Sequence, residues 1–301
     1  MVSSYVMPFS KDGSIVNNNN PLTIKISAST DASKVEVWSS YSRHKETWTS
    51  YTKLGNGSKL SDNYWYYSFS APSGAAYYRF YSRASSNNDY EGIPSSGYDE
   101  EYAVYYNFTG TIQKGFNFIA LPVKNNWDGI ADMASYFNNI AYDTYDERQI
   151  QAIYTLPHPT KRGIYNQEFW NVHPVDAIPD SNDNFNNYKA DSLKCYKIYS
   201  DNEFDWSYSG ALLEHASIST MLYSGSYTAI TMPHYPSASA SGCFCKSANV
   251  TKIAKYNTNT NTWEPEYFCG SPVPSPWYDF GDVLFVFKTT SQSNEWWNGY
   301  I

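Results

Sequence analysis

The sequence predicts an all-β protein built of two tandem antiparallel β-sandwich or jelly-roll barrels, with one or two short helices. Three observations carry that expectation. Short runs alternate apolar and polar residues, as in Leu22-Thr23-Ile24-Lys25-Ile26 and Val35-Glu36-Val37-Trp38, which is the pattern of half-buried strands. Turn formers punctuate those runs at Asn17 to Pro21, Gly55-Asn56-Gly57, Pro72-Ser73-Gly74 and Pro94-Ser95-Ser96-Gly97. Aromatic residues reach 18% of the chain, and their flat side chains favour the pleated, half-buried surface of a sheet.

Along the chain, Tyr64 to Phe69, Tyr77 to Tyr81 and Tyr102 to Tyr106 are aromatic-rich runs of strand length. They complete an N-terminal sandwich expected over residues 1–112, and residues 113–301 form a second β-barrel with long loops. Gly115 to Val123 reads as an apolar strand stopped by Pro122. Ile130, Met133, Ala134 and Phe137 then fall at i, i+3, i+4 and i+7, so a short helix is expected there, with Asp128 as its cap. Residues 171–189, rich in Asn, Asp and Pro, read as a long loop covering a surface or making a contact. Strands resume at Leu193 to Tyr199, Met221 to Met232, Val250 to Tyr256 and Val283 to Phe287, and Asn257 to Thr262 forms a polar hairpin turn closed by Trp263. An internal echo links Ile119-Ala120-Leu121-Pro122, Ile153 to Pro159 and Ile230 to Pro236, each a strand that ends at proline. A duplication would produce it, and so would coincidence in an all-β chain.

Composition removes whole classes of function. The net charge is −8 and the pI near 5.1, which argues against a nucleic-acid binder that works by neutralising phosphates. So many aromatic residues exclude intrinsic disorder. A mean hydropathy of −0.56, with no apolar run near the length of a spanning helix, argues against a helical membrane span. A chain of 301 residues buries enough surface to fold without metal or disulfide staples. The first dozen residues hold no basic stretch followed by an apolar one, so the expectation is action in the cytoplasm, or exit by lysis or inside a particle.

No nucleotide-binding loop, dinucleotide fingerprint, zinc-protease helix or nucleophile elbow is present, and no enzyme activity is expected. His44, His158, His173, His215 and His234 stand outside any nucleophile motif; His158 and His234 follow strand-ending prolines, but a wet loop role is the simpler reading. Carboxylates cluster at Asp143, Asp146 and Glu147, at Asp180 and Asp183, and at Asp201, Glu203 and Asp205. The last set alternates along one extended segment, so its oxygens are candidates to converge on a structural calcium ion, against the plainer reading of a solvated loop. Paired carboxylates would equally serve a glycoside-acting enzyme. Cys243 and Cys245 flank Phe244 with strand spacing that puts both sulfurs on one face. With Cys195 and Cys269 they read chiefly as buried structural thiols, a disulfide and a metal site being the alternatives.

The 30 Tyr, 15 Phe and 10 Trp exceed what two small cores require, and tyrosine suits large, partly wet contact surfaces. Val35 to Tyr106 resembles an immunoglobulin-like β-sandwich of prokaryotic surface proteins: Trp38 and Trp48 on early strands, Tyr77-Tyr78-Arg79-Phe80-Tyr81, then the polar turn Asn87-Asn88-Asp89. Gly115 to Val123 is similar to the strand opening a second β module in such proteins, and Asn257 to Trp263 to its polar hairpin. In size and texture the whole chain resembles the double jelly-roll major capsid proteins of membrane-containing icosahedral bacteriophages. That resemblance implies a virion structural protein whose homotrimers pack against neighbouring capsomers, with minor capsid proteins and an internal viral membrane as further partners, no direct nucleic-acid binding and no cofactor beyond the calcium candidate. The expectation is therefore a self-assembling capsid protein located in the virion. The alternatives are an adhesive, glycan-binding β-sandwich protein of the cell surface and, behind it, a glycoside-acting enzyme.

Overall fold

The computed structural model describes residues 2–10, 13–87, 89–94, 97–155, 171–174, 190–233, 235–245, 250–258, 260, 262–289 and 295–297. The protein is all-β, with several antiparallel sheets. Two compact units divide the chain: Met1–Asn107 with Ser209–His215, and Phe108–Tyr208 with Ala216–Ile301. Among the described residues no sheet closes on itself, so the closed barrels expected from the sequence are replaced by open sheets with free edges.

The first unit holds β1 (Ser4–Val6), β2 (Leu22–Ala28), β3 (Lys34–Ser42), β4 (Thr52–Asn56), β5 (Ser58–Lys59), β6 (Tyr64–Phe69), β7 (Ala76–Ser85) and β8 (Glu100–Val104). One sheet runs β1-β2-β6-β5 and the other β4-β3-β7-β8, all antiparallel. Alternation decides which side chains meet. Ile24, Ile26, Trp65 and Phe69 from the first sheet share one buried core with Val35, Val37, Tyr78, Phe80 and Ala84 from the second. Trp48, expected on a strand, lies in the connection between β3 and β4. The Tyr78 hydroxyl accepts from the Ser73 N–H and donates to the Gly74 carbonyl, both at 3.1 Å, tying the entry turn of β7 to the core ring. Two carboxylates pin β1 beside β7. Glu91 accepts from the N–H groups of Ser4 and Ala84, and Asp99 from those of Val6 and Ser82. The polar turn around Asn87 is described only in part, since residue 88 lies outside the described residues.

Continuing along the chain come β9 (Tyr106–Ile112), β10 (Gly115–Ile119), α1 (Ile130–Tyr145), β11 (Ile150–Thr155), β12 (Asn171–Pro174), β13 (Tyr196–Ser200), β14 (Phe204–Gly210), β15 (Thr220–Leu222), β16 (Tyr227–Thr231), β17 (Ser237–Ser239), β18 (Val250–Asn257), β19 (Thr262–Trp263), β20 (Tyr267–Phe268), β21 (Trp277–Asp279), β22 (Val283–Lys288) and β23 (Glu295–Trp297). Sheet β10-β13-β11-β12 carries α1 on one face through Ile119, Ile150, Ile153, Ile198, Met133 and Phe137. On its other face Phe118 and Tyr154 join the core of sheet β16-β22-β18-β19. The helix begins where the spacing predicts but runs to Tyr145. Its N-cap is Gly129 with no side-chain cap; Asp128 instead gives its N–H to Asp132 Oδ2 at 2.8 Å.

The two larger sheets of the second unit share one strand order. In each, the first strand pairs with the last, the last with the second, and the second with the third in chain order, and in one of them β20 also pairs with β18. A bulge breaks the second strand at the same register, between Ile150 and Ala152 and between Val250 and Lys252. Superimposing the ladders pairs Phe116 with Tyr227, Ile119 with Ile230, Pro122 with Pro233, Ile153 with Ile253 and Tyr199 with Phe287. The echo at Ile119 and Ile230 is thus a true correspondence of position, whereas Ile153 belongs to a different strand.

Candidate functional site

Among the described residues, Asp201, Glu203 and Asp205 do not gather into a cation site. Asp201 sits in the turn after β13, where Gln151 Nε2 donates to it at 2.6 Å, and Asp205 on β14 accepts from Thr111 Oγ1 at 2.7 Å. Glu203 is exposed, and its backbone carbonyl receives the Tyr145 hydroxyl. Among the described residues no three His, Cys, Asp or Glu side chains gather where they could hold a metal ion. Asp146 ends α1 in a left-handed conformation at φ 59°, its N–H bonded to the Tyr142 carbonyl at 3.1 Å. Asp180, Asp183, His158 and His234 lie outside the described residues, as do the side chain of His173 and most of the loop expected over 171–189.

The remaining histidines and cysteines are committed to structure. His44 Nδ1 lies 2.7 Å from the Leu213 carbonyl, and burial pushes its imidazole down, away from the charged form. Cys245 and Cys269 form a disulfide, while Cys195 and Cys243 are buried free thiols. This corrects the expectation of four reduced thiols. It also corrects the strand geometry, because Cys243 and Cys245 sit on a π-helical turn, Ser241–Cys245, so period-two spacing does not apply.

In the first unit the aromatic excess largely fills itself. On the outward face of β7, Arg79 stacks against the Trp48 ring at 3.7 Å and the Tyr98 ring at 4.4 Å, while its Nε donates to Glu101 at 3.0 Å. Trp38 stacks on Tyr81 across the β3–β7 ladder with centroids 6.0 Å apart.

An open groove of about 580 Å³ lies in the second unit. It lies between the β9–β14 ribbon and α1 and is lined by Thr109, Thr111, Tyr136, Asp205, Trp206 and Ser207. Its parts are fixed from several directions. One turn of α1 presents Tyr136 and Ile140 at i and i+4. The Tyr136 hydroxyl donates to the Ser207 carbonyl, clamping helix to ribbon. Trp206 meets Phe137 edge-on at 5.5 Å, and its indole lies against Gly110. A Cβ at position 110 would stand 3.1 Å from Trp206 Nε1, so any larger residue there would push the indole by a few tenths of an ångström. The result is an aromatic wall with a carboxylate and three hydroxyl-bearing side chains around it. That chemistry suits a neutral, polyhydroxylated ring: a C–H face to stack on indole and hydroxyls to bond to Asp205, Thr109 and Thr111. Asp205 was legible in the sequence as a polar candidate, but the groove was not, because its lining comes from β9, α1 and β14, which are far apart in the chain.

No protein-family model, curated protein or solved structure matches the chain.

Proposed function

We propose that this is a binding protein of a cell or particle surface whose second unit holds a neutral glycan in the Trp206 groove. The observation that carries the reading is the groove itself, whose lining includes an indole packed over Gly110 and the hydrogen-bonded pair Asp205 and Thr111. Two features of the first unit support a surface role. Its strand order, β1-β2-β6-β5 facing β4-β3-β7-β8, is the order of an immunoglobulin-type sandwich, and Tyr78 makes the bond to the preceding turn that such sandwiches use at this corner. The Cys245–Cys269 disulfide supports an oxidising location. Isothermal titration of the full chain with oligosaccharides recovered from a glycan array tests it. Trp206→Ala should weaken binding by about 30-fold or more, the scale of truncating a central aromatic contact. Affinity unchanged in Trp206→Ala would overturn the reading.

A second reading, the self-assembling virion subunit, draws support from one patch. Tyr5, Tyr64 and Tyr66 project from the outer face of β1-β2-β6 and are 52%, 49% and 40% exposed. Native mass measurement decides it: trimers favour the shell protein, and a monomer at high concentration removes it.

A further inference from the structure

The repeated sheets of the second unit hold matching aromatic pairs with different electrostatics. In one, Tyr227 and Phe287 face each other at 4.9 Å, and the Lys252 ammonium stands 5.0 Å and 5.3 Å from their rings. A carboxylate completes that arrangement. Both Glu266 oxygens lie 3.2 Å from Lys252 Nζ, and the Tyr227 hydroxyl donates to one of them at 2.8 Å. In the other sheet the corresponding pair, Phe116 and Tyr199, meets at 5.1 Å, with Tyr154 at 5.6 Å from Phe116. Here the cation comes from Lys197, whose Nζ lies 4.0 Å from the Phe116 ring and 5.5 Å from that of Tyr154.

Lys197 occupies the register that the sister sheet fills with the core residue Phe285. It is 6% exposed, yet among the described residues no carboxylate reaches it, and the hydroxyls of Tyr154 and Tyr199 have no hydrogen-bond partner. Burial alone pushes its ammonium down, whereas at the less buried Lys252 the effect of burial is outweighed by Tyr227 and Glu266, which hold the ammonium up. Phe116 is 37% exposed, so the cluster is open to solvent on that side. A desolvated cation without a counter-charge costs stability, and a hydrophobic side chain in this register would avoid the cost, as Phe285 does.

We propose that Lys197, Tyr154 and Tyr199 around the Phe116 ring form a binding site for the carboxylate group of a small acidic ligand. Glu266 in the sister sheet is the internal version of that ligand group: a carboxylate on a lysine that stands over an aromatic pair. The ammonium supplies the charge, the two hydroxyls supply donors, and the exposed face of Phe116 receives the ligand's body. The site is separate from the Trp206 groove, so neither stands or falls with the other.

The test uses the full chain with its lysines ¹³C-dimethylated, a modification that keeps the charge. Sodium glucuronate and sodium acetate are titrated against glucose and matched sodium chloride while the lysine signals are followed. The Lys197 signal, assigned by its loss in Lys197→Met, should titrate at lower pH than the others and move up when glucuronate is added. A response to both acids marks a general carboxylate site, and a response to glucuronate alone marks one for acidic sugars; either supports the proposal. Lys197→Met should weaken glucuronate binding by about tenfold or more, the scale of one charged hydrogen bond, while Lys252→Met leaves it within about twofold. Because the substitution removes an unpaired buried charge, it should melt no lower than the parent, which keeps the variant interpretable. A Lys197 response no larger than that to sodium chloride, equal binding of glucose, or full binding by Lys197→Met overturns the proposal.

Discussion

Breaking the Cys245–Cys269 disulfide gives a prediction whose size follows from the fold. The bridge joins the π-helical turn to the end of β20 across a sequence separation of 24, and the enclosed segment contains β18, the second strand of its sheet. The Cys269 N–H also bonds to the Thr251 carbonyl at 2.9 Å, so the crosslink lies beside the bulged start of β18. Closing a loop of that length removes roughly 3.5 kcal/mol of freedom from the unfolded chain. For a unit of this size that corresponds to a fall in Tm of roughly 7–14 °C. Burial pushes the thiols of Cys195 and Cys243 far up, so neither supplies the thiolate needed to exchange with the bridge. Calorimetry with and without dithiothreitol, on the parent and on Cys245→Ser/Cys269→Ser, measures the effect. The variant should match the reduced parent and ignore reductant. Full reduction confirmed by alkylation, with a Tm within about 2 °C of the oxidised protein, would refute the loop-entropy reasoning.

Two further predictions concern the first unit. Glu36 receives Lys34 at 2.7 Å, Lys53 at 2.6 Å and the Tyr90 hydroxyl at 2.8 Å; burial alone would raise its carboxyl, but these bonds outweigh burial and lower it to about 2. A depressed folded value stabilises above the ordinary carboxylate range and is lost as pH falls toward 2, so the parent should exceed Glu36→Gln in urea stability at pH 6 and converge with it near pH 2. Lys34 and Lys53 are 45% and 37% exposed, so screening reduces the difference to about 1–2 kcal/mol. A gap that does not change with pH would remove the assignment to Glu36. Tyr78→Phe strips the Ser73 N–H and Gly74 carbonyl of their partner and should lower stability by about 1–2 kcal/mol, read from the urea midpoint at constant slope.

How much of this was legible in the sequence depended on how local the cause was. The strand Tyr64–Phe69 lies where its alternation and flanking turn residues place it. The start of α1 follows from the spacing of Ile130, Met133 and Phe137, but its continuation does not, because Asn138 and Asn139 are poor helix formers. The buried Asn138 amide explains the difference: its oxygen accepts from the N–H groups of Gln149 and Ile150 at 3.0 and 2.7 Å, so tertiary bonding overrides propensity. Cysteine pairing was hidden because it depends on which distant segment meets a π-helical turn. The shared strand order showed only as a four-residue echo, since the matching bulge exists in the ladder and leaves no residue signature. Lys197 was invisible for a similar reason: in Tyr196-Lys197-Ile198 it reads as the solvated position of an alternating strand, and only the sister sheet reveals a core register.

Several rims of the open sheets described above are short or charged. β5 offers two residues, β1 three, and β19 and β20 two each; the longer rims β4 and β8 carry Lys53 and the adjacent Glu100 and Glu101. At these rims a visiting extended segment would find too few amide groups in line to add itself, or would meet charge where it tried. Those rims therefore work against copies of this chain adding strand to strand where they meet.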